Sequence, residues 1–236
     1  MSLDAIFPIK NWYFSTQSVL DSLSEEDYDF LISRQEKQKY KRGEAIYKEG
    51  VVPSGLFFIH QGKIKRYKAD QHDKEQILYI LNKGELMGYH SILAEERYTD
   101  SASALQSSVI SFIPKEDFLS VLNRSPLFNR RLLKVLCKES AVFINKISIF
   151  GQRTAVERLA IALIVLREKF KIDTPASEEI QINISRNDLA GIAGIASENV
   201  TRLLKDFKSE GIILTKGRTI HVLDVLKLVQ RSNYVG

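Results

Sequence analysis

Short apolar runs punctuated by glycine fill the first half of the chain, and longer runs with helical spacing fill the second. Ser24 precedes EEDYDFLISR, whose acidic first turn predicts a short helix with Ser24 as its N-cap. Four segments follow: GEAIYKEG (43–50), GLFFIHQGKIKRYKAD (55–70), KEQILYILNKGELMG (74–88) and DSASALQSSVISFIP (100–114). In the second, Phe57, Ile59, Ile64 and Tyr67 sit in near-alternating contexts, and Gly62 interrupts the run as a hairpin-like turn. Residues 76–81 form a compact β run. Val109, Ser111 and Ile113 point one way and Ile110 and Phe112 the other, the pattern of a strand buried on both faces. Regular short strands with glycine turns predict a small antiparallel barrel or roll.

The pattern then changes period. Pro114 opens a short helix, KEDFLSVLNR, and Pro126 opens a longer one. Leu133, Leu136, Ser140, Phe143, Ile147 and Phe150 have a/d spacing, which fits a plain core helix or, more sharply, a parallel helix pair across a dimer axis. Leu132, Val135, Ile144 and Ile149 add a second apolar flank, so the helix must also pack on its own domain. Gly151 is expected to close this helix, and Thr154 to cap the next, AVERLAIALIVLREKF.

The last fifty residues carry the most specific spacing. Leu189, Ile192 and Ala193 mark one helix face, and Val200, Leu203, Leu204 and Phe207 mark another. Ala190, Gly194 and Val200 fall where a helix-turn-helix needs a small contact residue, a permissive turn and an apolar plug. Gly211 ends the second helix, and IILTKGRTIHV reads as a hairpin with Lys216-Gly217-Arg218 at its tip, a basic wing. Glu198, Thr201, Arg202 and Lys205 share one exposed stripe of the second helix. On an isolated helix such a Glu–Arg pair is an ordinary solvated contact. In a helix-turn-helix the same stripe enters the major groove, where Glu198, Thr201 and Arg202 would read bases. Ser185, Arg186, Asn187, Ser197, Asn199, Lys205, Lys216 and Arg218 would lie along phosphates.

Charge supports this division. The 236 residues carry a net charge of +5. Residues 1–114 hold two more acidic than basic side chains, whereas 115–236 hold seven more basic than acidic, a bias toward a polyanionic partner in the second half. No apolar run approaches the roughly 18 residues of a membrane span, and no signal peptide is visible, so a cytoplasmic protein is expected. The single cysteine, Cys137, excludes an internal disulfide and any cluster held by several cysteines. Beside the seam it is expected to act as a small buried hydrophobe.

The order of parts resembles the Crp/Fnr family of bacterial transcription regulators. The likeness runs from about Leu20 to about Val222 and is most specific from Ile184 to Arg202, where ASENVTR matches the family's recognition-helix pattern. Gly43-Glu44, Gly50, Gly62, Gly84-Glu85 and Gly88 fall at the family's turn positions in the roll. The resemblance implies an α+β chain: an antiparallel β-roll of the cyclic-nucleotide-binding kind (a double-stranded β-helix) over residues 1–125, a long dimerisation helix over 126–150, and a winged helix-turn-helix over 151–236. It further implies a homodimer on a two-fold symmetric double-stranded DNA site with TGA-like half-sites, and contact with RNA polymerase. Thr201 stands where several oxygen-regulator relatives have serine, which suggests a TTGA-type half-site.

The departures bear on the signal. Members that bind cyclic nucleotides carry a glycine-glutamate pair, then an arginine before a small hydroxyl residue and alanine. Here Gly88 is followed by Tyr89 in place of the glutamate. With one inserted residue Asp100 takes the arginine's place before Ser101-Ala102; without it the position is Thr99. Gly88, Tyr89, His90, Arg97, Thr99, Asp100 and Ser101 are the candidate ligand pocket, and tight binding of cyclic AMP is not expected. No CxxCH site exists for c-type haem; His60, His72 and His90 are available to a b-type haem. No cofactor or metal site is evident, and the effector is unspecified. An enzyme on the roll would need clustered histidines and carboxylates, a P-loop or GxSxG, and none occurs, so no enzyme is expected. The rival reading is a cyclic-nucleotide or other small-ligand module that regulates a protein partner, which leaves the helix-turn-helix without a role.

Overall fold

The computed structural model describes residues 3–175 and 177–234. The chain divides into two compact units: Phe14–Lys68 with Ile77–Ser140, and Met1–Tyr13 with Ala69–Gln76 and Ala141–Gly236.

The first unit begins with helices α1 (Gln17–Leu20) and α2 (Glu25–Tyr28). The Ser24 hydroxyl caps α2 by accepting from the Asp27 amide, and α2 runs on into a π-type turn over Asp29–Ser33. Eight strands follow: β1 (Lys37–Tyr40), β2 (Ala45–Tyr47), β3 (Gly55–Gln61), β4 (Ile64–Ala69), β5 (Glu75–Leu81), β6 (Leu86–Met87), β7 (Ser101–Ala104) and β8 (Ser108–Pro114). They form two four-stranded sheets, ordered β1-β8-β3-β6 and β2-β7-β4-β5. β8 lies between β1 and β3, so Ile110, Ser111 and Ile113 are buried. The turn at Gly62 does not make a hairpin: β3 and β4 belong to different sheets. Gly62 has φ +97°, and a Cβ there would stand 2.2 Å from the Ser108 hydroxyl, so the chain crosses from sheet to sheet where only glycine fits. Leu56, Ile59, Ile64, Ile77, Leu86 and Ile110 form the core between the sheets.

Helices α3 (Tyr89–Leu93) and α4 (Lys115–Arg124) lead to α5, which runs unbroken from Pro126 to Gln152. Gly151 therefore sits inside the last turn of α5 rather than closing it. Leu132, Val135, Val142 and Ile149 are buried along one stripe of α5. The expected seam lies on the other side: Leu133 and Ile147 are 57% and 71% exposed, Ser140 and Phe150 are exposed, and Leu136 and Phe143 are half-buried. Ile144 joins this exposed side, and so does Cys137, which is not the buried hydrophobe expected from sequence. Cys137 follows the register of Leu133, Ser140, Ile144 and Ile147, one helical face left exposed among the described residues.

The second unit holds α6 (Ala155–Lys171), opened by a Thr154–Glu157 capping box, then β9 (Ile182–Asn183), α7 (Arg186–Ala193) and α8 (Ser197–Ser209). β10 (Ile213–Lys216), β11 (Thr219–Val222) and α9 (Val225–Ser232) complete it. β10 and β11 form the expected hairpin, and β9 pairs with β11. Leu159, Leu163, Leu189, Val200, Leu204 and Phe207 are its core. No described helix is long and apolar enough to cross a membrane.

Candidate nucleic-acid interface and the roll's buried charges

The helix-turn-helix is assembled by local chemistry. Ser185 caps α7 by accepting from the Asp188 amide at 3.0 Å. Gly194 ends α7 in the left-handed region (φ +63°) and meets the Phe150 ring so closely that a Cβ would stand 2.7 Å from it. Val200, Leu203, Leu204 and Phe207 are buried, so the opposite face of α8 is presented to solvent. On that face Glu198, Asn199, Thr201, Arg202 and Lys205 are all exposed. Thr201 donates its hydroxyl back to the Ser197 carbonyl at 3.2 Å. Arg202 approaches Asp206 at 3.7 Å rather than Glu198. Both carboxylates lie one turn away, and such exposed pairs differ by only a few tenths of a kcal/mol. Its guanidinium fork is free to reorient.

The predicted phosphate-side residues fall into two groups. Asn199, Lys205, Lys216 and Arg218 are exposed, the last two at the tip of the β10–β11 hairpin beside Gly217. The others are also structural. The Ser197 hydroxyl donates to the Asn187 side chain at 2.8 Å and ties α8 to α7. Ser185 also hydrogen-bonds the Asp188 carboxylate. Arg186 donates to the Gly217 carbonyl at 3.1 Å, and the Ile184 amide donates to the Arg218 carbonyl at 3.2 Å. The hairpin tip is thereby held to the start of α7, and burial lowers the Arg186 pKa.

In the roll the candidate pocket residues separate. Gly88 (φ +89°) turns the chain into α3. Arg97 donates to the Gly50 carbonyl at 2.9 Å, the Ser101 hydroxyl accepts from the Glu49 amide at 3.0 Å, and Thr99 is exposed. Tyr89, His90 and Asp100 instead converge on three residues that the sequence did not single out: Tyr47, Arg66 and Glu139. Arg66, buried on β4, contacts Asp100 at 2.7 Å and Glu139 at 2.7 Å. Tyr47 donates to the other Asp100 oxygen at 2.9 Å. The second Glu139 oxygen receives the Tyr89 hydroxyl at 3.0 Å and lies 2.6 Å from His90 Nε2.

The electrostatics follow. Burial opposes the charge on Arg66, yet Asp100, Tyr47 and Glu139 together hold its pKa well above the usual guanidinium value. Burial likewise pushes Glu139 up, but the His90 hydrogen bond and charge, and then Arg66, hold it down at about 2. Burial raises the phenols of Tyr47 and Tyr89. Asp100, a candidate pocket residue, is committed to Arg66. One signal for Glu139 was present: a carboxylate in register with Leu132, Val135 and Val142 on the buried stripe of α5. Arg66, two residues from buried Ile64 on β4, was legible in the same way. The histidines offered to haem lie on separate elements: His60 on β3, His72 in the β4–β5 connection and His90 on α3. Among the described residues no group of three or more His, Cys, Asp or Glu side chains is placed to hold a metal ion.

Residues 37–125 match the cyclic nucleotide-binding domain family, and residues 157–231 match the Crp-like helix-turn-helix domain family. The chain is 27% identical over 208 residues to the transcriptional activator protein anr of Pseudomonas aeruginosa, covering 88% of this chain and 85% of that protein. It is 26% identical over 214 residues to the fumarate and nitrate reduction regulatory protein of Escherichia coli, covering 90% and 85%. Among solved structures, FixK2 from Bradyrhizobium japonicum has the same fold, with TM-score 0.74 at 19% identity over 86% of this chain and 99% of that one. An antiparallel roll, a long helix and a winged helix-turn-helix, matched in sequence along most of their length, make this chain a DNA-binding transcription regulator of the Crp/Fnr family.

Proposed function

We propose that the chain acts as a homodimer on a palindromic double-stranded DNA site. Two copies pair through the exposed stripe of α5, Leu133, Leu136, Ser140, Phe143, Ile147 and Phe150, joined by Ile144 and Cys137. The division of labour is a sensor roll over 1–125, a dimer helix over 126–150 and a DNA reader over 151–236. Glu198, Thr201 and Arg202 meet base edges in the major groove. Ser185, Arg186, Asn187, Ser197, Asn199, Lys205, Lys216 and Arg218 line the phosphates. A TTGA-type half-site follows from Thr201, and RNA polymerase is the expected protein partner, in the cytoplasm. The observation that carries this reading is the α8 stripe: four polar side chains in solvent on the outer helix of a capped, glycine-turned pair beside a basic hairpin.

The same reading holds that the roll does not take cyclic AMP in the usual way. Tyr89, in place of the family's glutamate, and Asp100, in place of its arginine when one inserted residue is allowed, are buried and hydrogen-bonded to Glu139, Tyr47 and Arg66. The test is selection of bound DNA from a random pool by the purified protein with no ligand added. Enrichment of a two-fold symmetric site, with half-sites about one helical turn apart, supports the reading. Enrichment only when cyclic AMP is added, or of a site without symmetry, contradicts it.

A further inference from the structure

The cluster around Glu139 holds three formal charges that do not cancel. Arg66 is cationic, Asp100 and Glu139 are anionic, and all three are buried. Tyr47 and Tyr89 supply hydroxyl donors but no charge. Among the groups paired directly around Glu139, a neutral imidazole at His90 leaves two anions to one cation, and an imidazolium adds a second cation; Glu85, a further buried carboxyl, acts on Tyr89 from outside this set. An unpaired buried charge is costly, so the two states of the cluster differ in stability. His90 is the member with a route to solvent, its side chain being 26% exposed. Histidine is also the one residue type in the cluster whose charge ordinarily changes between pH 5 and 8.

The groups facing His90 come from several elements. Tyr89, its neighbour on α3, stacks on the imidazole with ring centroids 4.1 Å apart. Glu139 on α5 accepts from it, and Arg66 on β4 holds the other oxygen of that carboxylate. Asp100, just before β7, and Tyr47 on β2 lie behind Arg66. Glu85 acts electrostatically on Tyr89. Glu139 is thus gripped by groups from β4 and α3, and it is the one charged residue on the buried stripe of α5 within this unit.

We propose that Arg66, Asp100, Glu139 and His90 form a protonation-sensitive latch that fastens the N-terminal half of α5 to the roll. A proton on His90 closes the latch by setting a second cation against Glu139. Its loss leaves Glu139 shared between one guanidinium and neutral donors, and the helix loosens. The input is then pH, or any small acid or base that shifts occupancy of this imidazole, and no ligand needs to enter the roll. The output lies in the seam face of the same helix, since Leu133, Leu136 and Ser140 share its turns with Val135 and Glu139.

Amide hydrogen exchange on the full-length protein reads the latch without reference to DNA. After correction for intrinsic exchange, protection of the α5 amides around Glu139 is expected to fall about tenfold between pH 6 and pH 8. His90→Gln keeps a donor but removes the titration, and should give equal protection at both pH values. His60→Gln and His72→Gln remove the roll's other imidazoles and should keep the wild-type fall; they also preserve the test if His90→Gln does not fold. Wild-type protection that changes by less than about twofold overturns the latch, as does a His90→Gln protein that still shows the fall. Loss of the fall in His60→Gln or His72→Gln overturns it as well, because the sensing group would then lie elsewhere.

Discussion

In the helix-turn-helix, Glu198, Thr201, Arg202 and Lys205 stand in solvent, and Arg202 is 3.7 Å from its carboxylate neighbour. In the roll, Arg66, Asp100 and Glu139 are buried and paired at 2.7 Å. Both regions use an arginine and carboxylates, to opposite ends. An exposed guanidinium keeps its hydrogen-bonding capacity for a partner and contributes almost nothing to folding. A buried one has its bonds committed inside the protein, and removing either half of the pair leaves a charge stranded. The first arrangement suits recognition and the second suits holding elements together.

The contrast is sharpest in mutational cost. Arg66→Met leaves Asp100 and Glu139 buried without a cation, and should lower the unfolding free energy by about 3–5 kcal/mol in urea titrations. Arg202→Met should leave it within about 0.5 kcal/mol. Equal effects at the two sites would erase the distinction.

Acid should act on the roll first. Glu139 is held at about 2, below its ordinary value of 4.5. A depressed carboxylate stabilises the fold above its unfolded pKa, and that contribution disappears as pH falls through the folded one. Between pH 4.5 and 2 the protein should therefore lose on the order of 3 kcal/mol through this group. Glu139→Gln should flatten that part of the stability profile.

Smaller effects belong to the reader. Arg202→Ala should reduce discrimination at one G·C pair of the selected site by roughly 1–3 kcal/mol, measured as the difference in affinity between matched and substituted duplexes. Lys216→Ala should weaken all duplexes about equally and reduce the slope of log affinity against log salt by about 1. If Lys216→Ala changes sequence preference instead, the hairpin tip reads bases and the division between Arg202 and Lys216 fails.

The two regions also differed in how readily the sequence disclosed them. The helix-turn-helix is built from contacts a few residues apart, so Ser185, Gly194, Val200 and the α8 stripe could be placed from spacing. The buried cluster joins Arg66 to Asp100, 34 positions away, and to Glu139, 73 away. No local pattern links them; only the inward register of each residue hinted at burial. Gly62 signalled a turn correctly, but a turn does not say whether its flanking strands pair, and here they enter different sheets. Cys137 is exposed rather than buried for a related reason: α5 is apolar on two sides, and spacing alone does not say which side the chain itself covers.

The central claim is that the exposed stripe of α5 joins two copies so that two α8 helices engage one symmetric site. Sedimentation of the protein with a single duplex bearing the selected palindrome tests it most directly, with Ile147→Glu as the comparison because Ile147 is the most exposed of the stripe's apolar residues. The account predicts two wild-type chains per duplex, and an Ile147→Glu protein that keeps its unfolding midpoint, sediments as a monomer and does not form the two-chain complex. One wild-type chain per duplex, or an Ile147→Glu protein that remains dimeric, would contradict it.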